Sequence, residues 1–187
     1  NVTLAQNPTY QLKVANVARC SPNTLEFDVF LRSTGATPLE LQTVQFGLGY
    51  DVTILGGGSQ SYAILTSVNC AGSLDLSELL PSQVPSATPV GGIVSTITGF
   101  PGVNYRFFNC AARTPPGAGS GTVISSVDGG CTHPGSRIAR FRLTSQNPFA
   151  PGSTPKFAFS TAAGSNKTNT VVQAYVAGLA VNLTTGN

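Results

Sequence analysis

TLEFDVFLRSTG, residues 24–35, decides how the chain is read. Leu25, Phe27, Val29 and Leu31 alternate with Glu26, Asp28, Phe30 and Arg32, the period-two pattern of a strand with one apolar face. We therefore expect a β-strand that turns the first set to a core and sends Glu26, Asp28 and Arg32 outward. Two carboxylates on one side of a strand stand about 6.5–7 Å apart at the backbone. That spacing would suit a glycosidase pair or a weak cation site. The reading adopted is the plainer one, a solvated strand face, partly covered because Phe30 shares it.

The same alternation recurs along the chain. Tyr10, Leu12 and Val14 share a face, as do Val44, Phe46, Leu48 and Tyr50. Further strand candidates lie at 61–68, 92–98, 104–108, 121–127, 136–145, 155–161 and 168–181, separated by Gly, Pro, Asn and Ser clusters. About ten strands with scarcely a helix predict an all-β antiparallel β-sandwich of the cohesin or jelly-roll kind. Residues 72–81 (GSLDLSELLP) are expected to form one or two helical turns capped by Ser73, with Asp75 and Glu78 on one side as a possible cation pair. Residues 81–92 are expected to be a proline-punctuated surface loop. The last candidate, 168–181, is apolar on both faces, as for a central strand or one docked on a neighbouring subunit.

No linker or repeat divides the 187 residues, so one domain spans 1–187, with 1–9 (NVTLAQNPT) as a possible extended N-terminal arm. Only 9% of residues are charged, against about 25% in an average globular protein. The polar surface must then come from Ser, Thr, Asn, Gln and backbone, which suits contact with other surfaces. A net charge of +3, with Arg137, Arg140 and Arg142 as its one cluster, argues against nucleic acid. The apolar run 171–183 is too short and too interrupted to span a bilayer as a helix. The chain has no methionine and starts at Asn1, which leads us to expect a processed, exported protein.

Cys20, Cys70, Cys110 and Cys131 are widely spaced and form no C-x-x-C pair. With a single histidine, His133, no zinc set can be assembled, and no cofactor or metal is expected. Four cysteines in an exported chain favour two disulfides. Of the three pairings, Cys110–Cys131 with Cys20–Cys70 is preferred, because the first would staple the Gly/Pro-rich excursion at 111–130. A Cys131–His133 dyad would need a free thiol, and no Gly-x-Ser-x-Gly elbow singles out a serine. LGGGSQS (55–61) lacks the Lys-Ser/Thr of a phosphate loop and reads as a turn. Tyr62, Phe100 and Tyr105 are the aromatics least committed to a core, the candidates for a surface glycan. Asn1, Asn166 and Asn182 stand in Asn-x-Ser/Thr sequons.

Residues 17–51, VARCSPNTLEFDVFLRSTGATPLELQTVQFGLGYD, are similar to the opening of cohesin-like β-sandwich modules in secreted proteins of the Bacteroidota. SRIARFRLTSQNPFAPGSTPKFAFS (136–160) resembles a later stretch of the same modules. The resemblance implies an extracellular, cell-surface protein exported by type IX secretion, with its C-terminal sorting domain removed. It brings no catalytic residues, and the four cysteines set the chain apart from the cohesins of cellulosomes. The functional expectation is a non-catalytic structural or adhesive protein that self-associates at the cell surface into a fibre or layer, with the N-terminal arm pairing to a neighbour. The alternative is a carbohydrate-binding module.

Overall fold

The computed structural model describes residues 6–94, 102–161 and 168–183. Thirteen strands run through them: β1 (Tyr10–Ser21), β2 (Thr24–Ser33), β3 (Leu39–Asp51), β4 (Gln60–Ile64), β5 (Ser86–Val94), β6 (Tyr105–Ala111), β7 (Val123–Ile124), β8 (Asp128–Gly129), β9 (His133–Pro134), β10 (Ser136–Ser145), β11 (Ala158–Phe159), β12 (Val171–Val176) and β13 (Leu179–Asn182). One sheet has the order β1-β2-β10-β4. The other runs β13-β12-β3-β6-β5, with β7 and β11 attached to β3. All pairings are antiparallel, so the fold is the expected sandwich.

The core follows from the alternation. Leu25, Phe27, Val29 and Leu31 of β2 meet Val44, Phe46, Leu48 and Tyr50 of β3 between the sheets, all at most 5% exposed. Phe27 packs on Phe141, Phe108 and Phe157 with ring centroids 4.4–6.0 Å apart. Full burial of one such ring is worth about 2–3 kcal/mol. Gly49 on the outer side of β3 leaves room for Phe107, since a Cβ there would lie 2.8 Å from the ring.

The strand candidates 121–127 and 155–161 shrink to the two-residue strands β7 and β11, and three further elements depart from expectation. Residues 72–81 form no helix; they belong to a strap, residues 65–80, that leaves β4 and returns to β10, where the Glu78 amide donates to Arg137. Its Leu79 is buried, and its acids are drawn to arginines and a histidine instead of stacking along a helical turn. The proline-rich 81–92 stretch is largely strand: β5 starts at Ser86 and breaks register between Pro89 and Ile93. Proline is tolerated there because β5 is an edge strand. The two-faced segment 168–181 is a hairpin, β12 and β13, turning at Ala177 and Gly178, both at positive φ (50° and 81°). Within the expected arm, residues 6–9 lie on the chain's own 34–37 turn: Thr34 donates to the Thr9 carbonyl and Thr37 Oγ1 to that of Gln6. Residues 1–5 lie outside the described residues.

Candidate functional site

Glu26 and Asp28 point away from the core, as the alternation requires, yet both are 0% exposed. This corrects the solvated reading. The outer face of the small sheet is roofed by the strap at 65–80, which a strand-by-strand reading does not reveal. Beneath the roof, β10 sets Arg140 opposite Asp28 and Arg142 opposite Glu26 in the cross-strand register, where opposite charges attract. Arg140 Nη1 donates to both Asp28 oxygens at 3.1 Å, and its Nε to Glu26 Oε2 at 3.3 Å. Arg142 Nε donates to Glu26 Oε1 at 2.9 Å. The Cys70 amide donates to Glu26 Oε2 at 3.0 Å and Asn16 Nδ2 to Asp28 Oδ2 at 2.7 Å. Asp75 of the strap closes the cluster against Arg137 and Arg140 at 3.4 Å each. Three guanidiniums thus face three carboxylates.

Burial by itself would raise the Glu26 pKa, but the Cys70 amide and the Arg142 and Arg140 guanidiniums outweigh it and hold the carboxyl below its ordinary value. Asp51 is similar: burial raises it, while the Thr53 amide and hydroxyl and Lys156 bring it below normal. Depressed folded-state values give stability that is fully present above the ordinary value and lost as pH falls through the folded one. The melting temperature should therefore hold level above pH 4.5, the ordinary value for Glu26, and fall below it. Thermal scans against pH should show a shallower acid limb in Glu26→Gln. An unchanged limb would refute this account.

The strap is tied down by the expected Cys20–Cys70 disulfide. The other expected bond, Cys110–Cys131, is not made; both are free thiols. Cys110 is fully buried on β6 in the intersheet core, where burial pushes its thiol pKa up. Cys131 is exposed in the β8–β9 turn, which Lys13 and Asn16 of β1 hold through the Gly130 and Thr132 carbonyls. The excursion at 111–130 is secured by other means: Glu40 accepts from the Gly119 and Gly121 amides, and the Tyr175 hydroxyl donates to the Pro116 carbonyl. Cys20 Sγ, Cys70 Sγ and a Glu26 oxygen lie within 4.8 Å of one another. This is no open donor set, because the sulfurs are bonded to each other and the carboxylate is held by two arginines.

The remaining candidates are also occupied. His133 Nε2 meets Glu78 Oε1 at 2.5 Å, and its ring lies edge-on to Phe30, so Asp75 and Glu78 do not converge on a shared cation. Residues 55–59 turn from a 3-10 turn (Val52–Leu55) into β4, with Gly56 and Gly57 at positive φ. Tyr105 is fully buried, and Tyr62 is half-buried with its hydroxyl 2.6 Å from that of Tyr50; Phe100 lies outside the described residues. Of the sequon asparagines, Asn182 sits on β13 and receives a hydrogen bond from Gln173; Asn1 and Asn166 lie outside. An apolar hollow of about 280 Å³ opens among Val17, Leu25, Ile54 and Phe149. Arg19 covers Phe149 at 5.4 Å and donates to Ser153. No acid or nucleophile pair lines it.

No protein-family model matches the chain, and no curated protein does. Among solved structures it is similar to two of the endoglucanase CelQ from Clostridium thermocellum, complexed with cellotetraose and with cellotriose. The identities are 10% and 12%, and the TM-score is 0.42 in each case. The match covers 96% and 88% of this chain but only 26% of the endoglucanase chain. A likeness of that size carries no inference about activity.

Proposed function

We propose that the protein is a non-catalytic, disulfide-stapled structural subunit that works outside the cell by associating with copies of itself. One observation carries the reading: among the described residues β13, a four-residue strand, ends the large sheet without the charge, proline or bulge that guard its other edge and the edge at β1. β1 is bulged between Ala15 and Ala18, with Asn16 at φ 51°, and carries Lys13 and Arg19. β5 contains Pro89 and a register break. β4 lies against β5 at the side of the sandwich. β13 has no charge, proline or bulge. An edge without charge, proline or bulge offers its free backbone groups to another strand.

The non-catalytic part rests on the acids. All seven carboxylates accept from partners inside the fold: Glu26, Asp28 and Asp75 in the roofed cluster, Glu40 from Gly119 and Gly121, Asp51 from Lys156, Glu78 from His133 and Asp128 from Arg32. General acid–base chemistry needs such a group within reach of a substrate, and the closely spaced pair, Glu26 and Asp28, lies fully buried under the strap. The packing of Tyr62 and Tyr105 leaves the carbohydrate-binding alternative without those two aromatics. Export at the surface of a cell, by the route of the cohesin-like modules, belongs to the same proposal, and the Cys20–Cys70 bond supports it.

Sedimentation velocity across a wide concentration range, with negative-stain microscopy of the protein from its native source, tests the reading. Assembly that grows with concentration, or filaments or a lattice on the grid, is expected. A single monomeric species throughout would sink the proposal.

A further inference from the structure

β13 is self-complementary, and the geometry points to a two-fold dimer in which β13 of one copy pairs antiparallel with β13 of a second, centred on Val181. This inference rests on the self-association proposed above and names the surface that performs it.

The register dictates which groups are free. β13 pairs with β12 as Val176↔Leu179, Tyr175↔Ala180, Ala174↔Val181 and Gln173↔Asn182. Beyond the strand, the Leu183 amide donates to the Val172 carbonyl at 2.9 Å. Hydrogen-bonded and non-hydrogen-bonded pairs alternate along an antiparallel ladder. Leu179 and Val181 therefore join Leu183 in aiming their amides and carbonyls at β12. Ala180 and Asn182 aim theirs at the open side.

A two-fold axis through Val181 sets Ala180 of each copy opposite Asn182 of the other. Each such pair exchanges both backbone bonds, so four hydrogen bonds form and no outward-facing group of the strand is left over. A centre at Ala180 would keep two of the four, because Asn182 would then face the turn residue Gly178. The side chains agree with the Val181 centre. Leu179, Val181 and Leu183 share the core-side face: Val181 packs on the core, Leu183 is 9% exposed, and Leu179 stands 71% exposed. In the dimer Leu179 covers the other copy's Leu183, and the two Val181 side chains meet. The strand carries no charge to be opposed by its own copy. Such a contact is isologous and closes as a pair. The opposite edge of the same sheet is interrupted at Pro89, so β13 does not propagate a continuous sheet from copy to copy. Four bonds and six apolar side chains make a contact below the usual size of a stable interface, so dimerisation is concentration-dependent.

Cysteine cross-linking reads this register. Cys131→Ser removes the exposed native thiol, and single cysteines are then placed in that background. Facing Cα atoms of a non-hydrogen-bonded pair lie about 4.5 Å apart, within disulfide reach. Val181→Cys should give a covalent dimer on mild oxidation at least tenfold faster than Leu179→Cys, whose own copies lie about 14 Å apart along the paired strands. Mixed Leu179→Cys and Leu183→Cys proteins should link to each other. Equal rates for Val181→Cys and Leu179→Cys would overturn the register. In parallel, Ala180→Pro deletes an outward amide while leaving the β12 ladder intact. It should abolish the dimer in sedimentation with the melting temperature unchanged; a persistent dimer would overturn the edge. Should that variant unfold, the cysteine series decides alone. Wild-type protein that assembles without Val181 cross-linking would refute this interface and spare self-association, whereas a wild-type monomer at every concentration would remove both.

Discussion

Replacing Arg140 with methionine should destabilise the fold by about 3–5 kcal/mol, a fall in melting temperature of about 10 °C for a chain of this size. Arg140 is 5% exposed and binds both Glu26 and Asp28, which are 0% exposed. Methionine fills the space but leaves Asp28 with Asn16 as its closest donor and with Arg137, whose Nε stands at 3.4 Å. An uncompensated buried carboxylate is the costly outcome, far more than the loss of the pair as a whole. Adding Asp28→Asn to the Arg140→Met variant should therefore recover more than half of the loss. Equilibrium denaturation of the two single variants and the double variant measures the coupling. Additive effects would mean that the cluster does not act as a unit.

Removing the Cys20–Cys70 bond by a double Ser replacement should cost about 4 kcal/mol, the chain-entropy value for a loop of this length, given a sequence separation of 50. The effect should be local as well as global. The strap at 65–80 carries Leu74 and Leu76 exposed at 58% and 44%, so few apolar contacts hold it down once the bond is gone. Limited proteolysis should then cut within 65–80 before the sheets are attacked. Replacing Cys110 or Cys131 removes no cross-link, and Cys131→Ser, on an exposed turn, should stay within about 0.5 kcal/mol of the parent. A large loss at Cys131 together with a small one at Cys20 would point to the other pairing.

How far the sequence could be read varies from element to element. Strand β10 was legible to the residue, because SRIARFRLTS alternates strongly and is bounded by glycine and by Gln146-Asn147-Pro148. The first part of β5 is hidden by Pro81, Pro85 and Pro89, which read as loop although an edge strand tolerates proline; its end, 92–94, falls in the strand candidate 92–98, whose remainder lies outside the described residues. The β12–β13 hairpin reads as one strand in the sequence because its turn is Ala177-Gly178, without the asparagine or aspartate that usually marks such turns. Gly178 was the one local signal. Cys20–Cys70 agrees with the preferred pairing. Cys110–Cys131 does not, since a Gly/Pro-rich excursion in want of a staple says nothing about which side of a sheet a cysteine faces.

The sequence by itself determined the all-β class, the inward face of β2 and the apolar half of the sandwich, because those depend on side-chain periodicity along single strands. It also displayed both halves of the charge cluster, Glu26 and Asp28 in one segment and Arg137, Arg140 and Arg142 in another, without joining them. Only the tertiary structure decided that these groups lie opposite one another under a disulfide-tethered strap. Only it showed that, among the described residues, β13 ends the large sheet without charge, proline or bulge. Register between strands distant in sequence, and the path of a loop over a sheet, depend on contacts across more than a hundred residues of chain, and no local pattern encodes them.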